Sequence, residues 1–134
     1  RMYSMDIMLY LREFLVGETA LLECIASSGR TLTPGEISEK MHLSRARTAN
    51  ILRTLREKGF ITMEGAGDDR RKMLVTMTAA GGAHLAGKHA YLERYFDEYV
   101  DVLGEKNISD LTALLKVTAD SESVLMQKFD RGNV

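Results

Sequence analysis

Three arginines and one asparagine recur within a short stretch, at Arg45, Arg47, Asn50 and Arg53. An arginine guanidinium matches the two major-groove acceptors of guanine, and an asparagine amide matches adenine. If the stretch is a helix whose apolar positions face inward, these polar side chains point outward. The pattern therefore predicts contact with duplex DNA. The candidate DNA-binding residues of this stretch are Ser44, Arg45, Arg47, Asn50, Arg53 and Thr54.

A second polar cluster follows at Asp69, Arg70, Arg71 and Lys72. An arginine at a loop tip can enter the narrow, electronegative minor groove of DNA. Asp69 and Arg71 stand two positions apart and point the same way in an extended chain, so the carboxylate is predicted to orient the guanidinium. Arg70 and Lys72 are predicted to reach phosphates. The alternative is an ordinary hairpin in which Asp68 and Asp69 neutralise the neighbouring arginines.

The charge of the chain is unevenly distributed. The net charge is −1, but the stretch from Lys40 to Lys72 holds nine basic and four acidic residues and is therefore +5, against −6 for the remainder. A basic centre on an acidic body is the electrostatic pattern of a nucleic-acid-binding surface. The alternative is a solvated helix face that is basic without binding anything.

Local signals predict the elements that must position these residues. Thr33-Pro34-Gly35-Glu36 is typical of a helix start, and the helix is predicted to run to about Met41. Ser44 is the predicted cap of a fourth helix that Gly59 ends. Two strands with a turn-rich tip are predicted next, so a helix-turn-helix is followed by a two-stranded wing. The remaining predicted elements are helices at about Met5–Val16, Thr19–Ser28, Thr78–Gly104 and Ile108–Phe129, and the strands are predicted at Phe60–Glu64 and Lys72–Met77.

Several ordered motifs resemble the MarR family of bacterial transcription regulators. They are Leu43-Ser44-Arg45, Lys58-Gly59-Phe60-Ile61, Asp69-Arg70-Arg71 and the run from Leu74 to Gly81, and the resemblance covers about Leu32 to Leu85 closely. It implies a mainly α fold with a small β-hairpin, in which a winged helix-turn-helix domain is flanked by N- and C-terminal dimerisation helices. It also implies a homodimer on a near-palindromic operator, with a groove-reading helix from Ser44 to Lys58. The family's Asp-x-Arg wing motif maps onto Asp69 and Arg71.

The chain departs from the family pattern in two features. Gly81, Gly82 and Gly87 fall near the start of the fifth helix, where each interior glycine costs roughly 1 kcal/mol relative to alanine. That helix is therefore expected either to begin loosely or to pack closely against a neighbour. The arm before Gly17 is short, which leaves the extent of the dimer contact open.

The terminal helices carry more apolar residues than one winged domain can cover. A two-fold pair would bury them and would set two groove-reading helices about 34 Å apart, one turn of DNA. An intramolecular bundle of the same helices is the alternative. The predicted organisation is therefore residues 1–28 as N-terminal helices, 29–78 as the winged helix-turn-helix core and 79–134 as C-terminal dimerisation helices. The apolar residues concerned are Met2, Met5, Met8, Leu9, Leu15, Ile108, Leu111, Leu115, Leu125 and Phe129.

The sequence gives no specific indication of a site that senses an oxidant, a metal or a small molecule. Apolar neighbours favour an inert thiol at Cys24, although a single-cysteine redox sensor of the same family is an alternative function. The three histidines are scattered, so neither a metal site nor a cofactor is predicted. Aromatic residues between the winged domain and the dimer helices could line an effector pocket or belong to the dimer core, and no ligand site is assigned. The residues are Tyr10, Phe14, His84, Tyr91 and Tyr95.

Other functional classes fit less well. The sequence lacks a phosphate-binding glycine loop, a nucleophile elbow and a metal motif, so an enzyme is not predicted. A winged-helix module that binds protein would need an apolar or acidic recognition face, the reverse of this one. A single cysteine and the lack of a long apolar run predict a cytoplasmic protein without a membrane partner. Repression is favoured over activation, while the operator, the regulated genes and the effector stay open.

Overall fold

The computed structural model describes residues 6–67 and 69–132, including their side chains except those at 6, 66, 69–71, 131 and 132. The chain forms two compact units, with the division between Leu92 and Glu93. The order of elements is helix, helix, helix, helix, strand, strand, helix, helix. Their bounds are α1 Asp6–Glu13, α2 Glu18–Ser28, α3 Pro34–Met41, α4 Arg45–Glu57, β1 Ile61–Ala66, β2 Asp69–Met77, α5 Ala79–Leu103 and α6 Glu105–Gly132.

The core of the first unit is assembled from apolar side chains of five successive elements and the start of α5. Burial of such side chains contributes about 1.5–3 kcal/mol each. Three of them, Ile37 on α3 and Leu52 and Leu55 on α4, join the two helices of the helix-turn-helix. Met41, Leu43 and Ile51 beside them are half-buried. The buried residues of the cluster are Leu21, Leu22, Ile25, Leu32, Ile37, Leu52, Leu55, Ile61, Val75 and Leu85.

The predicted helix boundaries of the helix-turn-helix are confirmed. Thr33 and Glu36 form a reciprocal capping box, in which the Glu36 N–H donates to Thr33 Oγ1 at 3.2 Å and the Thr33 N–H donates to Glu36 Oε2 at 2.8 Å. Ser44 caps α4 by accepting from the Arg47 N–H at 3.2 Å. Gly59 follows α4 with φ of +75°, a left-handed conformation that glycine adopts without strain.

The hairpin is longer than predicted. Its strands extend to Ala66 and from Asp69, so most of the segment predicted as a turn continues the sheet. The antiparallel register pairs Gly65 with Met73 but then Ala66 with Asp69. Residues 70–72 therefore form a bulge in β2 opposite the step from Gly65 to Ala66. A bulge leaves residues out of the regular ladder and bends the strand.

The start of α5 is clamped to the base of the hairpin. The Thr78 hydroxyl donates to the Gly59 carbonyl at 2.6 Å and accepts from the Gly81 N–H at 3.1 Å. A β-carbon at Gly81 would overlap with the Phe60 carbonyl oxygen and would lie 3.0 Å from Met77 Cγ. Of the two predicted explanations for glycine here, close packing is therefore correct at position 81. Gly87, in contrast, has open space beside it.

Helix α1 ends at Glu13, three residues before the predicted end, and three further turn hydrogen bonds continue to Val16. Its inward residue is Ile7, which was not among the residues of the predicted apolar face. Met8, Leu9 and Leu15, which were predicted to belong to that face, stay exposed, Leu15 to 78%. These three residues of the predicted face are therefore uncovered in the single chain, and Met2 and Met5 lie outside the described residues.

The second unit contains the C-terminal part of α5 and all of α6. Helix α6 begins at Glu105, three residues earlier than predicted, and runs to Gly132. Large apolar side chains stay exposed along it, including Leu115 at 60%, Leu125 at 54% and Phe129 at 75%. Tyr95 and Tyr99 of α5 stack with their ring centroids 6.2 Å apart. Leu115, Leu125 and Phe129 of the predicted apolar face thus remain uncovered within this unit, whereas Ile108 and Leu111 are half-buried.

Candidate nucleic-acid interface

Helix α4 presents a narrow polar strip on the side opposite its buried face. Thr48, Leu52 and Leu55 are buried, whereas Ala46, Asn50 and Arg53 are exposed. At about 100° per residue these three exposed residues fall within about 60° of one another around the helix. We call Ala46, Asn50 and Arg53 the central strip. Because Ala46 is small, the backbone of α4 can approach a ligand closely there.

Arg45 and Arg47 flank the central strip on opposite sides, since two residues are about 200° apart on a helix. Arg45 lines a cavity of about 400 Å³ together with Lys72 of β2 and with Thr33 and Pro34 at the start of α3. Arg47 lines a shallower cavity of about 370 Å³ beside the end of α1. The structure therefore brings Arg45 and Lys72 together at one cavity and places Arg47 at another.

The cations of this surface lack carboxylate partners among the described side chains. Three basic residues elsewhere in the first unit are paired: Arg30 Nη2 lies 2.9 Å from Glu36 Oε1, Lys58 Nζ 2.6 Å from Glu18 Oε2, and Lys88 Nζ 2.7 Å from Glu13 Oε2. No such pair is recorded within the described part of the chain for Arg45, Arg47, Arg53 or Lys72. Four exposed cations without a carboxylate partner in the described part of the chain make this face attractive to a polyanion.

Two predicted site residues have structural roles in α4. Ser44 is the N-cap, so its hydroxyl already accepts the Arg47 N–H. Thr54, predicted to face outward, is half-buried and its hydroxyl donates to the Asn50 carbonyl at 3.1 Å. Both residues border the surface and do not lie in the central strip.

The wing consists of strands β1 and β2 with their connecting turn. The backbone of Asp69, Arg70 and Arg71 belongs to β2, and the predicted orienting contact between Asp69 and Arg71 lies outside the described side chains. Lys72 is exposed at the base of the bulge, beside Arg45 across the shared cavity. The structure thus brings the lower wing and α4 around one concave surface.

Sequence reasoning missed a buried polar contact beneath α4. Ser38 Oγ donates to Thr48 Oγ1 at 2.9 Å, and Thr48 is 1% exposed. The available signal was that Thr48 occupies an inward position in the helical period, between Ser44 and Leu52. The sequence does not show which residue of α3 it meets.

Cys24 is half-buried and packs against the core. Burial raises the pKa of its thiol, and the nearby charge of Lys40 only partly opposes that effect. Lys40 is distant from Cys24 in the sequence, so only the structure shows that its charge acts on the thiol. The net direction still disfavours the reactive thiolate.

Each predicted pocket aromatic contacts another ring, but only Tyr10 and Tyr91 contact each other. Tyr10 stacks on Tyr91 at 4.4 Å between ring centroids, and Phe14 meets His89 edge-on at 5.2 Å. His84 stacks on Phe60 at 4.5 Å and lines a cavity of about 460 Å³ with charged residues of α1, α2 and α4. The aromatic side chains of the first unit therefore serve as packing between α1, β1 and α5.

The residues that the structure describes were also compared with the requirements of a metal site and of a membrane-spanning helix. Their histidine, cysteine and acidic side chains form no group of three suited to hold a metal ion. None of the helices in this part of the chain combines the length and the apolar character required to cross a membrane.

Comparison with protein families and solved structures agrees with a winged helix. The family model that matches describes the IclR helix-turn-helix domain and covers residues 19–65, from α2 into β1. No curated protein matches the sequence.

Similar solved structures include YusO of Bacillus subtilis, with a TM-score of 0.69 and 19% identity over 84% of this chain and 80% of that one. A MepR mutant of S. aureus bound to an oligodeoxyribonucleotide has a TM-score of 0.63 and 19% identity over 78% and 76%. A MarR mutant of E. coli has a TM-score of 0.62 and 22% identity over 82% of each chain.

Of these structural neighbours, MepR is a transcription regulator of the S. aureus multidrug efflux pump MepA. At such identities the likeness establishes a shared fold. The mainly α fold with a winged helix-turn-helix, which the resemblance to the MarR family predicted, is confirmed.

Proposed function

We propose that the chain is a DNA-binding transcription regulator of the MarR family that acts as a homodimer. It binds a near-palindromic operator with α4 in the major groove and the wing in the minor groove of each half-site, and it represses transcription by occupying that operator. The observation that carries the proposal is a set of exposed cations on and beside α4, Arg45, Arg47, Arg53 and Lys72, for which no carboxylate partner is recorded among the described side chains.

The shape of α4 supports major-groove binding. An α-helix with its side chains is about 10–12 Å wide and the major groove about 12 Å. The central strip of Ala46, Asn50 and Arg53 faces away from the core and is free to meet base edges. We assign base reading to Asn50 and Arg53, since amide and guanidinium groups match adenine and guanine.

The flanking residues are assigned to the DNA backbone. Arg45 and Lys72 face the same cavity and would hold a phosphate on the wing side, while Arg47 would hold one on the side of α1. Ser44 and Thr54 border this surface. On the wing, we assign Arg71 to the minor groove, Asp69 to its orientation, and Arg70 to a phosphate, since the bulge at residues 70–72 carries three consecutive basic residues.

Homodimer formation is supported by uncovered apolar side chains at both ends of the chain. Met8 and Leu9 on α1 and Leu115, Leu125 and Phe129 on α6 stay exposed in the single chain. Residues 1–28 and 79–134 would supply the dimer contacts around the core at 29–78. A small-molecule effector would act by changing the separation of the two copies of α4, because half-site spacing is geometric.

The main alternative is a winged-helix module that binds another protein. Such a module would need an acidic or apolar recognition face, whereas the face of α4 is cationic and has no recorded carboxylate partner among the described side chains. An acidic protein partner would nevertheless be attracted by the same positive charges. Preferential binding to one duplex sequence would distinguish a DNA-binding regulator from a protein-binding module. We do not assign an enzymatic activity, since the structural neighbours are transcription regulators. A redox-sensing function is disfavoured because the pKa of Cys24 is raised.

The experiment is selection of bound fragments from random duplex DNA, followed by binding at several salt concentrations. We expect a two-fold symmetric consensus and a linear fall of log affinity with log salt. A dimer with 6–10 phosphate contacts should lose roughly 10³–10⁵ in affinity between about 50 and about 200 mM salt. An Arg71→Ala variant should bind the consensus much more weakly while remaining a folded dimer.

The outcomes separate the parts of the proposal. Recovery of no preferred sequence would overturn DNA readout altogether. A preferred sequence without two-fold symmetry would overturn the dimeric mode, and normal binding by Arg71→Ala would overturn the role of the wing.

A further inference from the structure

A chain of buried hydroxyl groups connects α3 to the beginning of α4. Ser38 Oγ donates to Thr48 Oγ1 at 2.9 Å, and Thr48 Oγ1 donates to the Ser44 carbonyl at 3.0 Å. Ser38 is 9% exposed and Thr48 is 1% exposed. Because each hydroxyl has one proton to donate, this arrangement uses both protons and has a defined direction. We call Ser38 and Thr48 the hydroxyl pair.

Packing alone does not account for the hydroxyl pair. The rest of the interface between α3 and α4 is apolar, with Ile37, Leu52 and Leu55 buried together. Apolar side chains of the same shape would fill the space of the pair at little or no loss of stability. A hydrogen bond differs from apolar contact in requiring a narrow range of distance and angle, whereas the hydrophobic effect has no direction.

Because Thr48 lies on α4, the geometry required by its hydrogen bond to Ser38 also affects how α4 would read DNA. Thr48 and Ala46 are two residues apart, so they lie about 200° apart around α4 and Thr48 faces away from the central strip, while Ser38 lines the cavity shared by Arg45 and Lys72. Rotation of α4 by about 20° would move side chains at the helix surface by about 2 Å, given a helix radius of about 5–6 Å. A shift of that size breaks a hydrogen bond to a base edge but changes apolar burial only slightly.

The hydroxyl pair also reaches the N-terminus of the reading helix. Thr48 is bonded to the carbonyl of Ser44, and the Ser44 hydroxyl in turn accepts the Arg47 N–H. The hydrogen bonds of Thr48 therefore also influence the position of Ser44 and Arg47, where α4 would first approach a duplex.

We infer that Ser38 and Thr48 are positioning residues that fix the rotation of α4 about its own axis, so that Asn50 and Arg53 meet base edges in register. The inference rests on the proposed DNA-reading function of α4. It assigns to the pair a role in sequence discrimination that is separate from its role in holding the core together.

The test compares two duplexes, the consensus recovered by selection with the unsubstituted protein and a scrambled duplex of the same composition. The readout is the ratio of the two Kd values. Thr48→Val keeps the shape of the side chain but removes the hydroxyl, and we expect the ratio to fall about 10-fold or more, in the range of one lost base contact. The Kd for scrambled DNA should change less than about 2-fold, because phosphate contacts are not sequence-specific.

A double variant separates positioning from stability. Ser38→Ala combined with Thr48→Val leaves no buried hydroxyl without a partner, so its stability in denaturant should return close to that of the unsubstituted protein. Its discrimination ratio should stay low. Thr48→Ser retains the donor and acceptor and should restore most of the ratio.

Thr112→Val on α6 is the matched control. Thr112 is exposed, and its hydroxyl donates to the Ile108 carbonyl four residues earlier at 2.8 Å, as Thr48 does to Ser44, but no interhelical bond to it is recorded among the described residues. This variant should leave the ratio unchanged.

Two results would overturn the inference while leaving the proposed function intact. One is an unchanged ratio in Thr48→Val, and the other is a double variant that regains both stability and discrimination. If Thr48→Val does not fold, the ratio of Kd values is compared instead between the unsubstituted protein, Ser38→Ala and the double variant. If the unsubstituted protein prefers no sequence, the proposed function fails and this inference fails with it.

Discussion

The backbone of Gly81 lies so close to the carbonyl oxygen of Phe60 that a β-carbon at position 81 would overlap with it. The Thr78 N–H donates to that same oxygen at 3.0 Å, so the first turn of α5 and the end of the segment after α4 share one contact point. This junction joins the helix that leads to the C-terminal unit to the base of the wing.

Gly81→Ala should destabilise the protein by about 1–3 kcal/mol, although alanine is the better helix former. The added methyl group must displace backbone, which cannot move independently of β1. The measurement is the free energy of unfolding in urea. Gly87→Ala on the same helix is the control, since open space surrounds that position and its stability should rise by up to about 1 kcal/mol. Equal effects at the two positions would contradict the close contact.

The carboxyl group of Glu36 should titrate well below the ordinary range. The Arg30 guanidinium, followed by the Thr33 N–H, lowers the pKa of Glu36 from 4.5 to about 2 by hydrogen bonding to the carboxylate. Since the folded pKa lies below the unfolded one, Glu36 contributes stability fully above about pH 4.5. That contribution declines below this pH and is lost as the pH falls through about 2.

NMR titration of the Glu36 side chain measures this pKa directly. Arg30→Ala should raise it toward the ordinary value, while leaving the capping bond from Thr33 in place. A pKa that is the same in both proteins would show that Arg30 does not hold the carboxylate in solution.

Asn50 and Arg45 should respond differently when replaced by alanine. Asn50→Ala should cost about 1–3 kcal/mol on the selected consensus and relax the preference at one base pair, because Asn50 lies in the central strip. Arg45→Ala should weaken consensus and scrambled DNA alike and lower the salt slope by about 1, as expected of a phosphate contact. Binding isotherms at several salt concentrations measure both effects. The opposite pattern would exchange the two assigned roles.

Leu115→Asp should separate the two copies of the chain. Leu115 is exposed in the single chain, and burial of such a side chain in a symmetric interface contributes about 1.5–3 kcal/mol from each copy. Sedimentation equilibrium should change from about twice 15.0 kDa to 15.0 kDa. The neighbouring Lys116→Asp is the control, since Lys116 points about 100° away and should leave the dimer intact. Dimers in both variants would exclude this face of α6 from the interface.

Local signals were enough to predict the helix-turn-helix. The capping box of Thr33 and Glu36 and the left-handed Gly59 depend on residues within one or two turns of each other, so sequence spacing reports them directly. The inward set on α4 followed from helical period for the same reason.

The length of the wing was underestimated because its outer strand residues have low intrinsic strand preference. Gly65 and Asp69 are depleted in strands generally. Their strand conformation follows from pairing with Met73 and Ala66 across the hairpin, a contact that no residue pattern within one strand reveals.

The sequence by itself determined the type of each main element, the basic outward face of α4 and the basic run of the wing. Only the tertiary structure decided which cations share a cavity, which hydroxyl of α3 meets Thr48, and why position 81 admits no side chain. The physical reason is the sequence separation of the interacting residues. Helix capping, helical periodicity and local charge depend on residues that are close in the sequence. Packing joins atoms whose separation along the chain does not indicate their distance in space.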